Sequence, residues 1–464
     1  MRIYLDSNIF RKTKAASKQF DKAVFDAVQR LKESFIFLFS EGHMHDLSKS
    51  EASYRNEDLK EMEKLVSNNY ICRDHIKKKL HYYRYTPFEA YETIDFAQMD
   101  SFLEDPFTSM QEMFDFEGGE ELKNIFDNLF NMPIFNQLDI DTSTLTPEHK
   151  HAVEQFQGIK SINDALKSMQ GIGMKLDSPK EFKKFRDLLS PFDRKEYSFE
   201  EWSFDFDNRM KDTLFGQTFS EMVELTLAGS DKNDEYLRFI SAYTQLEALG
   251  VTEERSGSKQ KLKKNSYWDI HKDAVHAYFA SKSDYFVTDD LGVQTKAFIV
   301  YRIMGIQTEV LSVKDFLSKS VFLLKNEDTI GTFTGGVIYS LEEGFVINQS
   351  VIDNTQVIKL AYPMFNYFNR MQVNATNGER SLQFFRSTKI ETDLMFAEVE
   401  LLIKKCTRLF GTDMDFKGTS TLTDYGKFKD SEFIRKWKSG KSIISLSFEE
   451  NSYGFKIITI TIWF

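Results

Sequence analysis

The sequence predicts an α/β protein whose main sheet is parallel, followed by a separate α+β region. Three observations lead to this prediction. Residues 2–39 contain an apolar run, then apolar residues at helical spacing, then a second apolar run. Strand-like and helix-like segments alternate again at residues 236–316. Such alternation is typical of parallel sheets, whereas the chain after residue 325 shows strand-like alternation with Gly-containing turns.

The first segment contains two predicted strands and two predicted helices. The strands are residues 2–6, RIYLD, and residues 35–39, FIFLF. Between them, apolar residues recur every three or four positions from Phe20 to Leu31, which predicts an amphipathic helix. A second helix is expected after Ser40, because a serine side chain can accept a hydrogen bond at a helix N-terminus.

The second segment repeats this pattern. Its predicted elements are the helices 235–249 and 267–281, the strand 284–288, the helix 293–305 and the strand 308–312. Gly250 and Gly305 follow two of the helices, as is common at helix C-termini. We therefore expect the two segments to be halves of one sheet, interrupted by an insertion.

Four regions follow from this pattern. Residues 1–86 are the predicted first half of the α/β domain, 87–235 a mostly helical insertion, and 236–324 the second half. Residues 325–464 form a predicted α+β domain for sensing, oligomerisation or partner binding. We expect strands and turns at 331–348, an amphipathic helix at 392–411, and a closing β-hairpin that turns near Asn451–Gly454.

Composition limits the classes of function. The chain has 464 residues, of which 41% are hydrophobic and 28% charged, as in soluble globular proteins. The net charge of −11 disfavours a general basic surface for nucleic acid but allows a local basic groove. Cys72 and Cys406 are far apart, which favours a reducing compartment and no cysteine-based zinc site. With no long apolar run and no secretory segment, we expect a cytoplasmic protein without a membrane partner.

Acidic residues lie at the ends of the predicted strands. Asp6 ends the first strand, Asp46 lies on the helix after the second, and Asp290 follows strand 284–288. Asp273 lies on the helix before that strand. Ligands of parallel α/β sheets bind beyond the carboxyl ends of the strands. Four carboxylates there would repel one another, and Mg²⁺ or Mn²⁺, as one or two ions, would relieve that repulsion and could orient a water molecule for phosphodiester hydrolysis.

Around these acids the chain resembles the PIN-domain nucleases. The resemblance rests on YLDSNIF at 4–10, FSEGHMHDL at 39–47 and KDAVHAYFASKSDYFVTDDLG at 272–292, and it covers roughly residues 1–70 and 236–316. It implies a metal-dependent endonuclease that cleaves RNA in preference to DNA. It also implies that the four aspartates bind the metal. The chain departs from the family pattern at Asp46, where many members carry Glu, and in the long insertion.

The resemblance also implies supporting roles for nearby polar residues. Asn8, Ser40 and Thr288 match polar positions that support the site in the family. Asp289 is the intervening residue of the Thr-x-Asp motif, and a direct contact with the metal is less expected for it than for Asp290. The last supporting candidates are His43 and His276, which could contact substrate or a carboxylate. The implied products carry a 5′-phosphate and a 3′-hydroxyl, and a toxin-like or phage-defence role is compatible with the architecture.

Two basic segments are candidate substrate-binding surfaces. Basic and aromatic residues interleave at 73–84, and lysines cluster at 259–264. Such segments can bind phosphates and stack on bases, although either could also be an ordinary solvated surface. The candidate residues are Arg73, Lys77, Lys78, Lys79, Tyr82, Tyr83, Arg84, Lys259, Lys261, Lys263 and Lys264.

Two other hypotheses remain open at this stage. The first is a gated or non-catalytic regulatory protein on a PIN-like scaffold, against which the presence of all four acids argues. The second is a zinc hydrolase that uses His43 and His45, with His271 and His276 completing the cluster, although their spacing is unfavourable. The acidic segment 89–130 is expected to be a solvated face, with nucleic-acid mimicry as the alternative.

Overall fold

The protein is described here by a computed structural model. The described residues are 1–48, 50–74, 77–94, 120, 124–125, 128, 203–212, 216–228, 230–249, 251, 267–325, 329–350, 354–376, 379–387, 394–420, 424, 433–450 and 456–464. Most of the predicted insertion, most of the acidic segment, the hairpin turn near residue 452 and the lysine cluster at 259–264 lie outside the described residues.

The first described sheet has six strands and is mostly parallel. Its strands are β1 (Arg2–Leu5), β2 (Ile36–Ser40), β3 (Asn69–Asp74), β4 (Lys79–Arg84), β5 (Tyr285–Val287) and β6 (Glu309–Leu311). Their order in the sheet is β4-β3-β2-β1-β5-β6, and only the β3–β4 pair is antiparallel. The central strand β1 pairs with both β2 and β5, so strands from the two sequence segments lie in one sheet.

Helices cover both faces of this sheet. They are α1 (Ser7–Thr13), α2 (Lys22–Leu31), α3 (Glu41–Ser48), α4 (Ala52–Val66), α5 (Pro87–Glu92), α6 (Phe206–Arg209), α7 (Phe219–Thr226), α8 (Glu235–Ala248), α9 (Tyr267–Ala280), α10 (Leu291–Ile303) and α11 (Val313–Lys325). Successive residues of β1 point to opposite faces, so Tyr4 joins one apolar core and Ile3 the other. Among the described helices, none is long and apolar enough to cross a membrane.

The second described sheet is antiparallel and has seven strands. They are β7 (Phe345–Ser350), β8 (Thr355–Met364), β9 (Phe368–Thr376), β10 (Glu379–Phe385), β11 (Phe433–Ser439), β12 (Ser442–Glu450) and β13 (Lys456–Trp463), in the order β11-β12-β13-β10-β9-β8-β7. The helices α12 (Ile330–Glu343) and α13 (Met395–Phe410) accompany it. Pairing of β12 with β13 confirms the predicted closing hairpin, and α13 confirms the predicted amphipathic helix.

The prediction of strands and turns at 331–348 is wrong for most of that stretch. Residues 330–343 form helix α12, and only β7 after it is a strand. Thr329 caps the helix by accepting a hydrogen bond from the Thr332 backbone N–H at 3.2 Å. Phe333 and Val337, four residues apart, pack on the core of the antiparallel sheet. The apolar residues of this stretch fit both the alternation of a strand and the spacing of a helix, and packing on the sheet favours the helix.

The basic segment 73–84 also differs from the prediction. It forms part of the antiparallel β3–β4 hairpin at the edge of the mixed sheet. Arg73 is buried and forms an ion pair with Asp234, so it is not available to bind a phosphate backbone. Arg84 forms an ion pair with Glu400, and Tyr82 donates a hydrogen bond to an asparagine of β3.

A charged cluster joins the two sheets at the amino ends of β1 and β5. Arg2 Nε lies 2.6 Å from Glu398 Oε1 on α13, and Asp284 pairs with Arg386. Asp284 lies directly before β5 and also accepts a hydrogen bond from the backbone N–H of Arg2 at 2.6 Å. The contact leaves the opposite, carboxyl ends of β1 and β5 for a functional site.

Candidate functional site

The four predicted acids lie at the carboxyl edge of the mixed sheet. Asp6 directly follows β1, and its backbone N–H donates to Val287 O of β5 at 3.0 Å. Asp290 lies just after β5, at the start of α10. Asp46 is on α3, after β2, and Asp273 is on α9, which packs against β1, β5 and α3. The parallel arrangement brings these residues to one edge, as the strand order requires.

Asp6 is held by its neighbours at the start of α1 and after β5. Its Oδ2 accepts hydrogen bonds from Thr288 Oγ1 at 2.6 Å and from Asn8 Nδ2 at 2.8 Å. Its Oδ1 accepts from the Ser7 backbone N–H at 2.7 Å. Thr288 Oγ1 in turn accepts from the Asp290 backbone N–H at 3.1 Å. The contacts of Asn8 and Thr288 therefore fix the Asp6 carboxylate and link it to Asp290.

Asp290 and its neighbour Asp289 have different environments. The Asp290 side chain caps α10, because Oδ1 accepts hydrogen bonds from the backbone N–H groups of Gly292 at 2.9 Å and Val293 at 3.2 Å. The Asp289 side chain is 46% exposed and pairs with Lys12, with an Nζ–Oδ2 distance of 3.0 Å. Of the two side chains, only that of Asp290 is therefore hydrogen-bonded at the carboxyl edge of the sheet. Asp289, which is exposed, is a suitable control position for substitutions.

Asp273 has the clearest sign of crowding by like charges. Burial, together with the charges of Asp6 and Asp290, raises the pKa of its carboxyl to about 7 against the opposing charge of Lys296. Lys296 is itself buried and forms an ion pair with Glu247, with 2.5 Å between Nζ and Oε2. The carboxylates of Asp6, Asp273 and Asp290 therefore repel one another in a site that is partly shielded from water, with the buried ammonium of Lys296 nearby.

Asp46 is already paired with cationic side chains. Its Oδ1 lies 3.3 Å from Lys272 Nζ, and its Oδ2 lies 3.1 Å from His276 Nε2. His276 Nδ1 continues the chain through a 2.8 Å hydrogen bond to Tyr4 Oη, which is 2.7 Å from Ser40 Oγ. Predicted supporting residues His276 and Ser40 thus lie in one hydrogen-bonded row that ends at Asp46.

The charges in this row follow from its contacts. Burial raises the pKa of Asp46, but the hydrogen bond and charge of His276 and the charge of Lys272 outweigh it, so the pKa lies well below the ordinary value. Burial lowers the pKa of His276, and Asp46 reverses this so that the pKa is raised. A carboxylate–imidazolium pair results. A metal ion that binds Asp46 must compete with Lys272 and His276 for its oxygens.

Glycine lets the two helices that carry this pair approach closely. A Cβ atom at Gly42 of α3 would lie 3.2 Å from the His276 ring on α9. That distance is tighter than an ordinary van der Waals contact, so a larger residue would push the ring away from Asp46. The sequence FSEGHMHDL therefore serves both helix packing and the placement of His276.

The structure does not favour His43 as a zinc ligand. His43 Nδ1 accepts a hydrogen bond from the Ser40 backbone N–H at 3.1 Å, and Nε2 lies 2.7 Å from Leu5 O. Burial lowers the pKa of His43 to about 3, and burial likewise lowers the pKa of His45 to about 3. Both nitrogens of His43 are engaged within the protein, whereas a ligand needs one of them free.

The donor chemistry fits a hard divalent cation. Asp6, Asp273 and Asp290 supply only oxygen donors, which Mg²⁺ and Mn²⁺ prefer. Within the described ranges, however, no three His, Cys, Asp or Glu side chains converge closely enough to surround an ion as they stand. Side-chain adjustment would accompany binding, and Asp46 is the residue with competing partners to give up.

The sequence did not single out Lys296 or Tyr243. Lys296 lies on the apolar face of α10 beside Val293, Ala297 and Val300. A charged residue within such an apolar stripe is the feature of the sequence that could have indicated a buried charge here. Tyr243 Oη is buried without a hydrogen-bond partner among the described atoms. After burial, the charge of Asp273 is the largest influence that raises the pKa of Tyr243, so this hydroxyl lies near the acids.

We predict that Asp273→Asn stabilises the metal-free protein at pH 8 but not at pH 4. The pKa of this carboxyl is about 7 in the folded state, against an ordinary value of 3.8 when unfolded. The folded state therefore binds the proton more tightly, and ionisation removes stability as pH rises from about 4 to about 7. The neutral amide avoids this loss, which is of the order of 4 kcal/mol.

Thermal unfolding in EDTA at both pH values checks this prediction. Asp289→Asn is the matched control and should change the melting temperature little at either pH, since Asp289 is exposed. A gain of equal size at pH 4 and pH 8 would show that the effect of Asp273→Asn does not come from ionisation.

Comparisons with protein-family models, curated proteins and solved structures gave no match. The resemblance to PIN-domain nucleases therefore stays a prediction from the sequence, and the observed class is a mixed α/β protein with a mostly parallel sheet and an antiparallel sheet.

Proposed function

We propose that this protein is a divalent-metal-dependent nuclease that hydrolyses phosphodiester bonds. The observation that carries the proposal is the position of Asp6 and Asp290 at the carboxyl edge of the parallel strands, linked through Thr288 Oγ1, with Asp273 near enough for their charges to raise its pKa. Repulsion between partly buried carboxylates lowers the stability of the folded state, and bound cations would raise it again. The resemblance of the same segments to PIN-domain nucleases supports phosphodiester cleavage as the chemistry.

Each residue of the site has a part in this proposal. Asp6, Asp273 and Asp290, joined by Asp46, would hold one or two Mg²⁺ or Mn²⁺ ions. When bound, such ions lower the pKa of water and neutralise charge on the phosphate. Asn8 and Thr288 would keep the Asp6 carboxylate oriented through their hydrogen bonds.

Cationic side chains favour the charged form of two of these acids, Asp273 in part and Asp46 fully. Lys296 lowers the pKa of Asp273 against the effect of burial. Lys272 and His276 keep Asp46 ionised. These groups would hold the carboxylates ready for a cation, and they would also place a proton donor, His276, beside the acids.

RNA is the proposed substrate, by the resemblance. Lys77, Lys78, Lys79, Tyr83 and Arg84 are exposed on the β3–β4 hairpin and stay candidates for contacts with the chain of the substrate. Tyr83 stacks on a neighbouring tyrosine with ring centroids 5.2 Å apart, and nucleic-acid bases can stack on such aromatic surfaces.

An end-labelled cleavage assay tests the proposed function. Purified protein is incubated with single-stranded RNA, tRNA, single-stranded DNA and double-stranded DNA, in Mn²⁺, Mg²⁺ or EDTA. We expect internal cleavage of RNA in Mn²⁺ or Mg²⁺, with 5′-phosphate ends, and none in EDTA. Absence of cleavage on every polymer while Mn²⁺ is bound would favour the regulatory hypothesis instead.

We also propose that the C-terminal region forms a homo-oligomer. Large apolar side chains are exposed on α12 and β7, namely Ile330, Ile338, Tyr339, Leu341, Phe345, Val346 and Ile347. β7 is the edge of its sheet, and Phe345 is 71% exposed. An exposed apolar edge strand can pair with another strand. Antiparallel pairing of two copies of β7 about a two-fold axis would hydrogen-bond both edges and bury the apolar side chains.

We predict that Phe345→Asp converts an oligomer into a monomer. Light scattering after size-exclusion chromatography measures the mass of the wild type and the variant at the same concentration. Phe416→Asp is the control, because Phe416 is 83% exposed but lies outside α12 and β7 and should leave the mass unchanged. A monomeric wild type at micromolar concentration would contradict the proposal.

A further inference from the structure

A cavity of about 120 Å³ opens beside the acids, between α1, α3 and α4. Asp46 and His43 line it from α3, so it adjoins the candidate metal site. A cavity of about 150 Å³ lined by apolar residues can hold benzene. The present cavity is of the same order but smaller, so it has room for one six-membered ring and not for a larger, two-ring system.

The walls of the cavity suit a flat ring. Phe10, Leu47 and Met62 supply apolar contacts from the three helices. The Phe10 ring packs edge to face on His43, with centroids 5.3 Å apart and an interplanar angle of 83°, so its orientation is fixed. Bases stack on aromatic side chains, and methionine adapts to the shape of its partner.

The polar part of the lining has both signs of charge. Asp58 and Glu61 of α4 present carboxylates, and each has one oxygen in an ion pair: Lys14 Nζ lies 2.8 Å from Asp58 Oδ1, and Lys64 Nζ lies 2.6 Å from Glu61 Oε1. Arg11 lines the cavity from α1, is exposed, and has no ion pair among the described residues. Carboxylates accept hydrogen bonds from the 4-amino group of cytosine, whereas uracil offers a carbonyl oxygen at that position. Arg11 is placed to pair with a phosphate.

We propose that this cavity binds the base of a cytidine nucleotide. Phe10 and Met62 hold the ring, Asp58 and Glu61 accept from its 4-amino group, and Arg11 binds the attached phosphate. The position of this nucleotide next to the cleaved bond rests on the proposed nuclease function, but the binding itself does not. A base that enters the cavity must leave a duplex, so the substrate class is single-stranded and cytidine-containing.

Equilibrium binding of cytidine monophosphate tests the inference without any cleavage. Full-length protein in EDTA is titrated with CMP, UMP, AMP and GMP, and affinities are measured by calorimetry or by NMR. We expect CMP to bind about tenfold more tightly than UMP and the purine nucleotides, which equals about 1.4 kcal/mol. Equal affinity for CMP and UMP, or no binding of CMP at millimolar concentration, would overturn the inference.

Three variants separate the ring contact from the edge contact. Phe10→Leu keeps an apolar side chain but removes the aromatic face, and we expect all nucleotides to bind about tenfold more weakly. Glu61→Ala should remove the preference for CMP over UMP. Tyr54→Ala on α4 is the control, because Tyr54 is 62% exposed and does not line the cavity. Unchanged CMP affinity in folded Phe10→Leu and Glu61→Ala proteins would also overturn the inference.

Failure of this inference and failure of the proposed function give different results. CMP binding in EDTA with no cleavage of any polymer would leave the cavity assignment intact and reject the nuclease. Metal-dependent cleavage with no preference for CMP in binding would do the reverse.

Discussion

Asp290→Asn is expected to reduce metal-dependent cleavage by about a thousandfold, which equals about 4 kcal/mol of transition-state stabilisation. The amide keeps an oxygen that can accept from the N–H groups of Gly292 and Val293, so α10 keeps its cap. Only the negative charge is lost. The variant should therefore fold normally and fail in catalysis.

Asp289→Asn provides the matched comparison, one residue away. Asp289 pairs with Lys12 at the surface, so the same chemical change there should leave cleavage within about twofold of wild type. Initial rates on single-stranded RNA in Mn²⁺, with circular dichroism of each variant, measure both outcomes. Equal loss in the two variants, or no loss in Asp290→Asn, would remove Asp290 from the site.

Lys296→Met is expected to lower the free energy of unfolding by about 3–5 kcal/mol. The change leaves the buried Glu247 carboxylate without its ammonium partner, which lay 2.5 Å away. It also removes the charge that opposes the raised pKa of Asp273, so that carboxyl becomes harder to ionise. Urea unfolding in EDTA at pH 8 measures the loss.

The double variant Lys296→Met with Glu247→Met tells the ion pair apart from simple packing. Removing both charges should recover much of the lost stability, because no unpaired buried charge remains. If the double variant is as unstable as the single one, the loss comes from the shape of Lys296 and its packing on Tyr243.

The sequence predicted the sheet edge well because its signals were local. Short apolar runs marked β1, β2 and β5, and acids stood just after them. Once those strands are parallel, geometry alone brings Asp6 and Asp290 together. The contacts of Asn8 and Thr288 with Asp6 also lie where the Thr-x-Asp and Asp-x-Asn patterns would put them.

The remaining features depend on contacts distant in sequence. Nothing near Arg73 indicates that it is buried against Asp234, since the two are far apart along the chain. The same holds for the pairing of Asp46 with Lys272 and His276, which requires α3 and α9 to pack together. At residues 331–348, local alternation even favoured the wrong element, and packing on the antiparallel sheet decided for a helix.

Calorimetric titration with Mn²⁺ tests the central claim most directly, because it asks whether the acids form a cation site without assuming a substrate. The titration is run at pH 8 on the wild type, Asp6→Asn, Asp290→Asn and Asp289→Asn. We predict saturable binding of one or two ions to the wild type and to Asp289→Asn, with binding weakened at least about tenfold in the other two variants. Absence of binding to the wild type, or equal binding by all four proteins, would contradict the metal site and the nuclease proposed from it.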